Sequence, residues 1–164
     1  MKMTKSHNFN ASAESCWKMF SDPAAHVAKF EGMGHHDVTI VEKKKTKKSL
    51  AITITREVEI DGIPGFAKKF IKPRNTVVSV DRWNDNGDGT YSGEFTIDTK
   101  GTPIAISGTT HVAPVGDAAA YTVEVDVKVN VPLVGGKLEG FAKGIVDRQL
   151  NDEFRLADEW LASH

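Results

Sequence analysis

From Tyr121 to Val131 apolar and polar side chains alternate without a fault: Tyr, Thr, Val, Glu, Val, Asp, Val, Lys, Val, Asn, Val. A period of two puts one set of side chains on each face, so this stretch predicts a long strand with one dry and one wet side. The same pattern runs through Leu50, Ile52 and Ile54 and resumes at Val58 and Ile60, with Arg56 standing in the apolar register. Tyr91, Gly93, Phe95 and Ile97 form another such set, and Ile104, Ile106, Gly108, Thr110 and Val112 a further one. Val77, Val78 and Val80 lie in a β-branched run. Asn84-Asp85-Asn86-Gly87-Asp88-Gly89 and Pro114-Val115-Gly116-Asp117 carry hairpin chemistry. Strands joined by short turns, with no helix between them, predict an antiparallel meander.

The period changes to that of a helix near both ends. Ser12-Ala13-Glu14-Ser15 offers an N-cap with an acidic first turn ahead of Trp17 and Phe20, and Asp22-Pro23 restarts a short helix carrying Ala25, Val27, Ala28 and Phe30. From about Gly136 to Leu161, apolar residues recur at helical spacing for roughly 26 residues, or ~40 Å. A compact chain of this size is itself only ~40 Å across, so such a helix needs a broad sheet to lie on. The predicted order is one strand, two short helices, about six more strands and the long helix. This is an α+β layout with a strongly curved antiparallel sheet of about six to seven strands wrapped around the C-terminal helix. A helix cannot fill the whole concave face of such a sheet, and the space left is a natural ligand site.

Composition narrows the possibilities. The chain has 164 residues, 40% hydrophobic and 26% charged, which fits one globular domain over residues 1–164. With 21 Lys plus Arg against 22 Asp plus Glu, it lacks the electrostatic footprint of a nucleic-acid binder. Cys16 stands alone, which excludes an intrachain disulfide and a cysteine-based metal site. No apolar run approaches the ~20 residues of a membrane span, and the start lacks the apolar stretch of a secretory signal. A cytoplasmic protein is expected.

The segment Val131-Pro132-Leu133-Val134-Gly135-Gly136-Lys137-Leu138-Glu139, followed by Phe141, Gly144, Glu153, Glu159 and Trp160, resembles the START-like superfamily, also called SRPBCC or helix-grip. Within it, the likeness is to an actinobacterial branch of domains of unknown function. The Ile63-Pro64-Gly65 turn and the Phe9 to Phe20 region share it, so it spans nearly the whole chain. The resemblance implies an internal cavity for a hydrophobic small molecule or lipid. It implies no reaction, since relatives include binders, lipid carriers and polyketide cyclases or aromatases.

Several residues stand out as candidates for that site. Projected at 100° per residue, Gln149 and Glu153 fall in the sector of Leu138, Ala142, Ile145 and Val146, interrupting an apolar stripe. A polar group facing an interior needs a partner, and Arg56 is the available cation. One reading has Arg56, Gln149 and Glu153 holding a ligand's polar end, with Phe95, Phe141 and Ile145 lining the cavity; the other makes the polar three a structural set. Gly136, Gly140 and Gly144 recur at intervals of four, which suits either space for a ligand or close packing on the sheet. Gly135-Gly136-Lys137 lacks the rest of a phosphate loop. His35 and His36 would point to opposite faces and suit a shared metal poorly, while His7 and His111 are isolated candidates for acid–base work. An EF-hand reading of the loop from Asn84 fails, because Phe95 stands where the twelfth-position Glu is needed. No cofactor and no metal are expected.

Charge is uneven along the chain. Nine of the 21 basic residues lie in two segments, Lys43, Lys44, Lys45, Lys47 and Lys48, and Lys68, Lys69, Lys72 and Arg74. The second interleaves them with Phe66, Phe70 and Ile71, and a short helix there would present Phe66 and Phe70 on one face. One reading is a basic lid at the cavity entrance, with Gly135 and Gly136 as its hinge, making transient contact with anionic membrane. The other is a solvated hairpin tip and an inward-packed helix. The function expected is binding, carriage or sequestration of a hydrophobic ligand. A cyclase-, aromatase- or hydrolase-like enzyme using Arg56 with Glu153 or a histidine is the alternative, and a protein-interaction module with a collapsed cavity the second.

Overall fold

The computed structural model describes residues 1–164. Its elements follow in the order β1 (Lys2–Phe9), α1 (Ala13–Phe20), α2 (Pro23–Gly32), β2 (His36–Lys45), β3 (Ser49–Glu59), β4 (Arg74–Asp85), β5 (Tyr91–Thr99), β6 (Ile104–Val115), β7 (Ala118–Val129) and α3 (Gly135–Ser163). The strands form one antiparallel sheet in the order β1-β7-β6-β5-β4-β3-β2. The chain thus returns to pair its last strand with its first, and the α+β helix-grip layout is as expected.

Local chemistry explains the element boundaries. Ser12 caps α1 by accepting from the Ser15 amide at 3.1 Å, and Asp22 caps α2 by accepting from Ala24 at 2.9 Å. Pro23 then occupies the first turn, where its missing N–H costs nothing. In β3 the buried set is Leu50, Ile52, Ile54, Arg56 and Val58, and in β7 it is Ala119, Tyr121, Val123, Val125 and Val127. Each large aliphatic on this face contributes about 1.5–3 kcal/mol by leaving water.

Two glycines set the sheet's curvature. Gly93 sits between Trp83 and Thr110, and Gly108 between Phe95 and Val125. A Cβ on Gly108 would collide with the Glu124 carbonyl oxygen and with the Phe95 ring. Only a residue without a side chain permits strands to bend this tightly and lets the ring lie across the backbone.

One end of the concave face is filled by aromatics. Trp17 of α1 stacks on Tyr91 at 5.1 Å, Phe20 stacks on Trp83 at 4.3 Å, and Phe9 stacks on Tyr121 at 5.4 Å. Along its other flank α3 is clasped by β1. Lys5 Nζ reaches Asp147 at 2.8 Å and Asn151 at 2.6 Å, and His7 Nε2 lies 2.9 Å from Asp158, with its ring stacked on Phe154. No helix is long and apolar enough to cross a membrane.

Between β3 and β4, residues 65–67 form a 3-10 turn rather than a longer helix. Ala67 and Ile71 are buried in the core, Phe70 is half-buried, and only Phe66 projects, 37% exposed. The tighter winding takes Phe66 and Phe70 off a common face. The two basic segments stand at opposite ends of β3, roughly 35 Å apart, and do not form one surface. Lys43, Lys44 and Lys45 lie on β2, an edge strand with irregular register at Ile40–Glu42, where charge and bulging discourage further strand pairing.

Candidate functional site

A cavity of about 310 Å³ lies between the concave face of the sheet, α2 and the C-terminal half of α3. Most of its lining is apolar, 19 of 29 residues, including Phe20, Phe30, Trp83, Phe95 and Phe154. Its exposed border is formed by Glu159 and Ser163 of α3, together with exposed Ala28 of α2 and half-buried Met33 just after that helix. The mouth is therefore the seam between these two helices. There the helices touch closely at Gly32, where a Cβ would lie 2.8 Å from Leu156 Cδ2.

Arg56, Phe95, Gln149 and Glu153 are all brought to this cavity, whereas Phe141 and Ile145 lie nearer the start of α3, outside its lining. Phe66, Phe70, Ile71, Gly135 and Gly136 do not border it either. They lie where the 3-10 turn meets the first turn of α3, with Lys137 Nζ 5.8 Å above the Phe66 ring. Gly136 and Gly140 face open space, and Gly144 would meet only the end of Arg148. The glycine stripe thus neither makes room for a ligand nor packs on the sheet.

Arg56 is 5% exposed and largely engaged. Its Nε donates to His35 Nδ1 at 3.1 Å, one Nη donates to Ser79 Oγ at 2.8 Å, and its guanidinium lies 3.7 Å from the centre of the Phe30 ring. Burial lowers it to about 10, opposed by Glu153 and Asp81, so it remains charged at neutral pH. Burial also pulls His35 down to about 4, with Arg56, Lys29 and His36 adding to the shift, which keeps its imidazole a neutral acceptor for Arg56. His36 faces Glu59 instead, 3.7 Å away. The two histidines do not converge, and no group of three His, Cys, Asp or Glu is placed to hold a metal.

Glu153 is a quarter exposed, and its nearest cation is Lys29 Nζ at 3.9 Å. Burial raises its carboxyl above the ordinary range, Lys29 and Arg56 oppose this, and Asp81 adds to it. Tyr121 is raised well above its usual value, first by burial and then by Glu153 and Asp81. His26 of α2 is buried, its Nε2–H donating to the Phe20 carbonyl at 2.7 Å; burial and then Lys29 lower its pKa. His7 is spent on Asp158, and His111 is exposed beside Ser92 at 3.2 Å, away from the cavity.

Sequence reading missed Asp81, Tyr121 and His26, which complete the polar end of this cavity. Tyr121 carried the only available signal, as the first residue of the alternating run on β7.

Over residues 4–161 the chain matches a family described as proteins of unknown function (DUF2505). No curated protein matches it in sequence. Among solved structures, a protein from Thermus thermophilus superposes with a TM-score of 0.71 at 12% identity, covering 99% of this chain and 98% of that one. A START superfamily protein from Mycobacterium smegmatis gives 0.58 at 16% identity over 99% and 97%. Norcoclaurine synthase from Thalictrum flavum gives 0.58 at 15% identity over 100% and 87%. Likeness at these identities establishes the fold and no activity. The chain belongs to the DUF2505 family of proteins of unknown function and has the START-like, helix-grip fold.

Proposed function

We propose that the protein binds a hydrophobic small molecule or lipid in the cavity under α3, as a carrier or sequestering protein of the cytoplasm. The observation that carries this reading is a space of about 310 Å³, lined mostly by apolar side chains, with a few polar groups gathered at one end. Sites for small apolar ligands have this make-up, and ~300 Å³ is the lower end of their usual range. A collapsed interaction module has no use for such a space. Native mass spectrometry of gently purified protein is the test: a retained apolar ligand is expected, or failing that, saturable uptake of a fluorescent apolar dye. Protein that arrives bare and takes up no dye overturns the reading. The actinobacterial branch belongs with this proposal, resting on the Pro132 to Lys137 segment.

A catalytic reading is supported by one observation, the raised Glu153 carboxyl lying in the cavity beside Lys29. A carboxyl group that holds its proton more tightly than usual is suited to proton transfer. Mass analysis of the released ligand separates the two, since a carrier returns it unchanged.

Transient contact with anionic membrane is also proposed, through a smaller surface than the two basic segments together. Leu133 is fully exposed at φ 70°, and Phe66 projects beneath Lys137, four residues further along the chain from Leu133. Lys68, Lys69 and Lys137 are exposed and form no ion pairs, whereas Arg74 is spent on Asp37, Glu57 and Glu59. Exposed apolar side chains accompanied by free lysines suit an anionic interface. Cosedimentation with phosphatidylserine vesicles at low salt is expected, and its absence overturns the membrane contact.

A further inference from the structure

Asp81 is the cavity carboxylate for which the fold supplies no counterpart. It belongs to a row that crosses the sheet as Ile52, Asp81, Phe95, Gly108, Val125 and Met3, in which every other member is apolar. It accepts no hydrogen bond within the protein, and no cation stands within 4.0 Å of it. The other two lining carboxylates are provided for, Glu153 by Lys29 at 3.9 Å and Glu159 by Arg155 at 3.1 Å. A half-buried carboxyl group in such a row lacks a polar partner unless something enters to meet it.

Two further groups around the same cavity are short of partners. His26 Nδ1 and Thr110 Oγ1 make no hydrogen bond, in residues only 4% and 8% exposed. Because His26 Nε2 carries the proton given to the Phe20 carbonyl, its Nδ1 is left with a bare lone pair. The Asp81 carboxylate and this lone pair can only accept. Of the lining cations, Lys29 stands 3.9 Å from Glu153, and Arg56 is engaged through Nε and one Nη, which leaves its other Nη free. Donors also line the cavity, at the remaining Nη of Arg56, Gln149, Tyr121 and Thr110, but none of them reaches Asp81.

We infer that the ligand carries a buried hydrogen-bond donor, an amine or a hydroxyl, that seats on Asp81. This rests on the cavity being a ligand site, so the test must separate the two claims. Decylamine, decanol and decanoic acid share one tail and differ only in the polar end. Each is titrated against the apolar dye bound to wild-type protein and to the variants Asp81→Asn and Asp81→Leu. Decylamine, decanol or both bind the wild type at least about tenfold tighter than decanoate. Which of them leads identifies amine or hydroxyl. Asp81→Asn removes most of that preference and improves decanoate.

Both variants fold, because Asp81 holds no structural partner, and without ligand Asp81→Leu melts at a higher temperature than the wild type. If none of the three probes displaces the dye, the cavity reading falls and this inference with it. If all three bind alike, or Asp81→Asn leaves their order unchanged, the cavity stands and the donor assignment is overturned. A lowered melting temperature in both variants shows Asp81 to be structural and likewise overturns it.

Discussion

Replacing Gly108 with alanine probes the link between sheet curvature and the cavity. The added methyl would fall on the Glu124 carbonyl oxygen on one side and the Phe95 ring on the other. The carbonyl cannot give way, because β6 and β7 stay in unbroken register from Ile104 to Val115. Phe95 must therefore yield, and it lines the cavity. Overpacking of this kind costs about 1–3 kcal/mol, and a backbone oxygen as one of the two obstacles puts this site near ~3. For a chain of this size each kcal/mol moves the melting temperature by about 2–4 °C, so a fall of roughly 6–12 °C is expected. Thermal unfolding followed by circular dichroism reads the stability, and dye titration reads the cavity. Weaker dye binding should accompany the lower melting temperature. Phe95→Leu in the same chain should restore part of both, since a smaller side chain gives the methyl room. If Gly108→Ala melts with the wild type and binds dye equally well, the assigned role of Gly108 is refuted.

Three further outcomes follow from the same reasoning. His35 titrates near 6.5 when unfolded but only near 4 in the folded protein, so stability is full above about 6.5 and falls as pH drops towards 4. The loss attributable to it is about 1–2 kcal/mol once solvent screening of this half-buried ring is counted; His35→Gln, which keeps an acceptor for Arg56, should flatten this limb in urea titrations, and an unchanged slope would show that His35 does not drive it. Leu133→Asn relaxes a left-handed backbone position and should stabilise the fold by about 1 kcal/mol while weakening vesicle binding; stabilisation without loss of vesicle binding would remove Leu133 from the membrane contact. Gly140→Ala meets nothing within 4 Å and should add about 1 kcal/mol of helix stability without changing dye binding.

What could be read from the sequence depended on whether a strand's pattern agreed with its burial. On β7 every inward residue is apolar, so strand and facing were both legible. Arg56 was legible because it interrupts an otherwise clean register on β3. On β4 the pattern misleads: the inward set is Val77, Ser79, Asp81 and Trp83, while Val78 and Val80 point outward. Polarity assigns Asp81 to solvent there, and only pairing with Ile52 and Phe95 places it inside. Gln149 and Glu153 could be placed by helical geometry alone, because one helix carries its own angular reference. The mouth could not, since it is a seam between α2 and α3 that no local pattern encodes. The 3-10 turn escaped for another reason: Gly65 and Pro73 bound too short a segment for an α-helix to form.

The clasp between β1 and α3 has a mechanical consequence. Lys5 and His7 rivet one flank of α3 at three points between Asp147 and Asp158, whereas its opposite flank rests on α2 through a glycine contact and one long ion pair. A rod fixed along one edge and merely leaning on the other turns about the fixed edge. Torque on α3 therefore parts it from α2, where the cavity reaches the surface, and leaves the sheet untouched. Ligand can exchange without unzipping a strand, and raised ionic strength would weaken both the clasp and the ion pair that spans the gap.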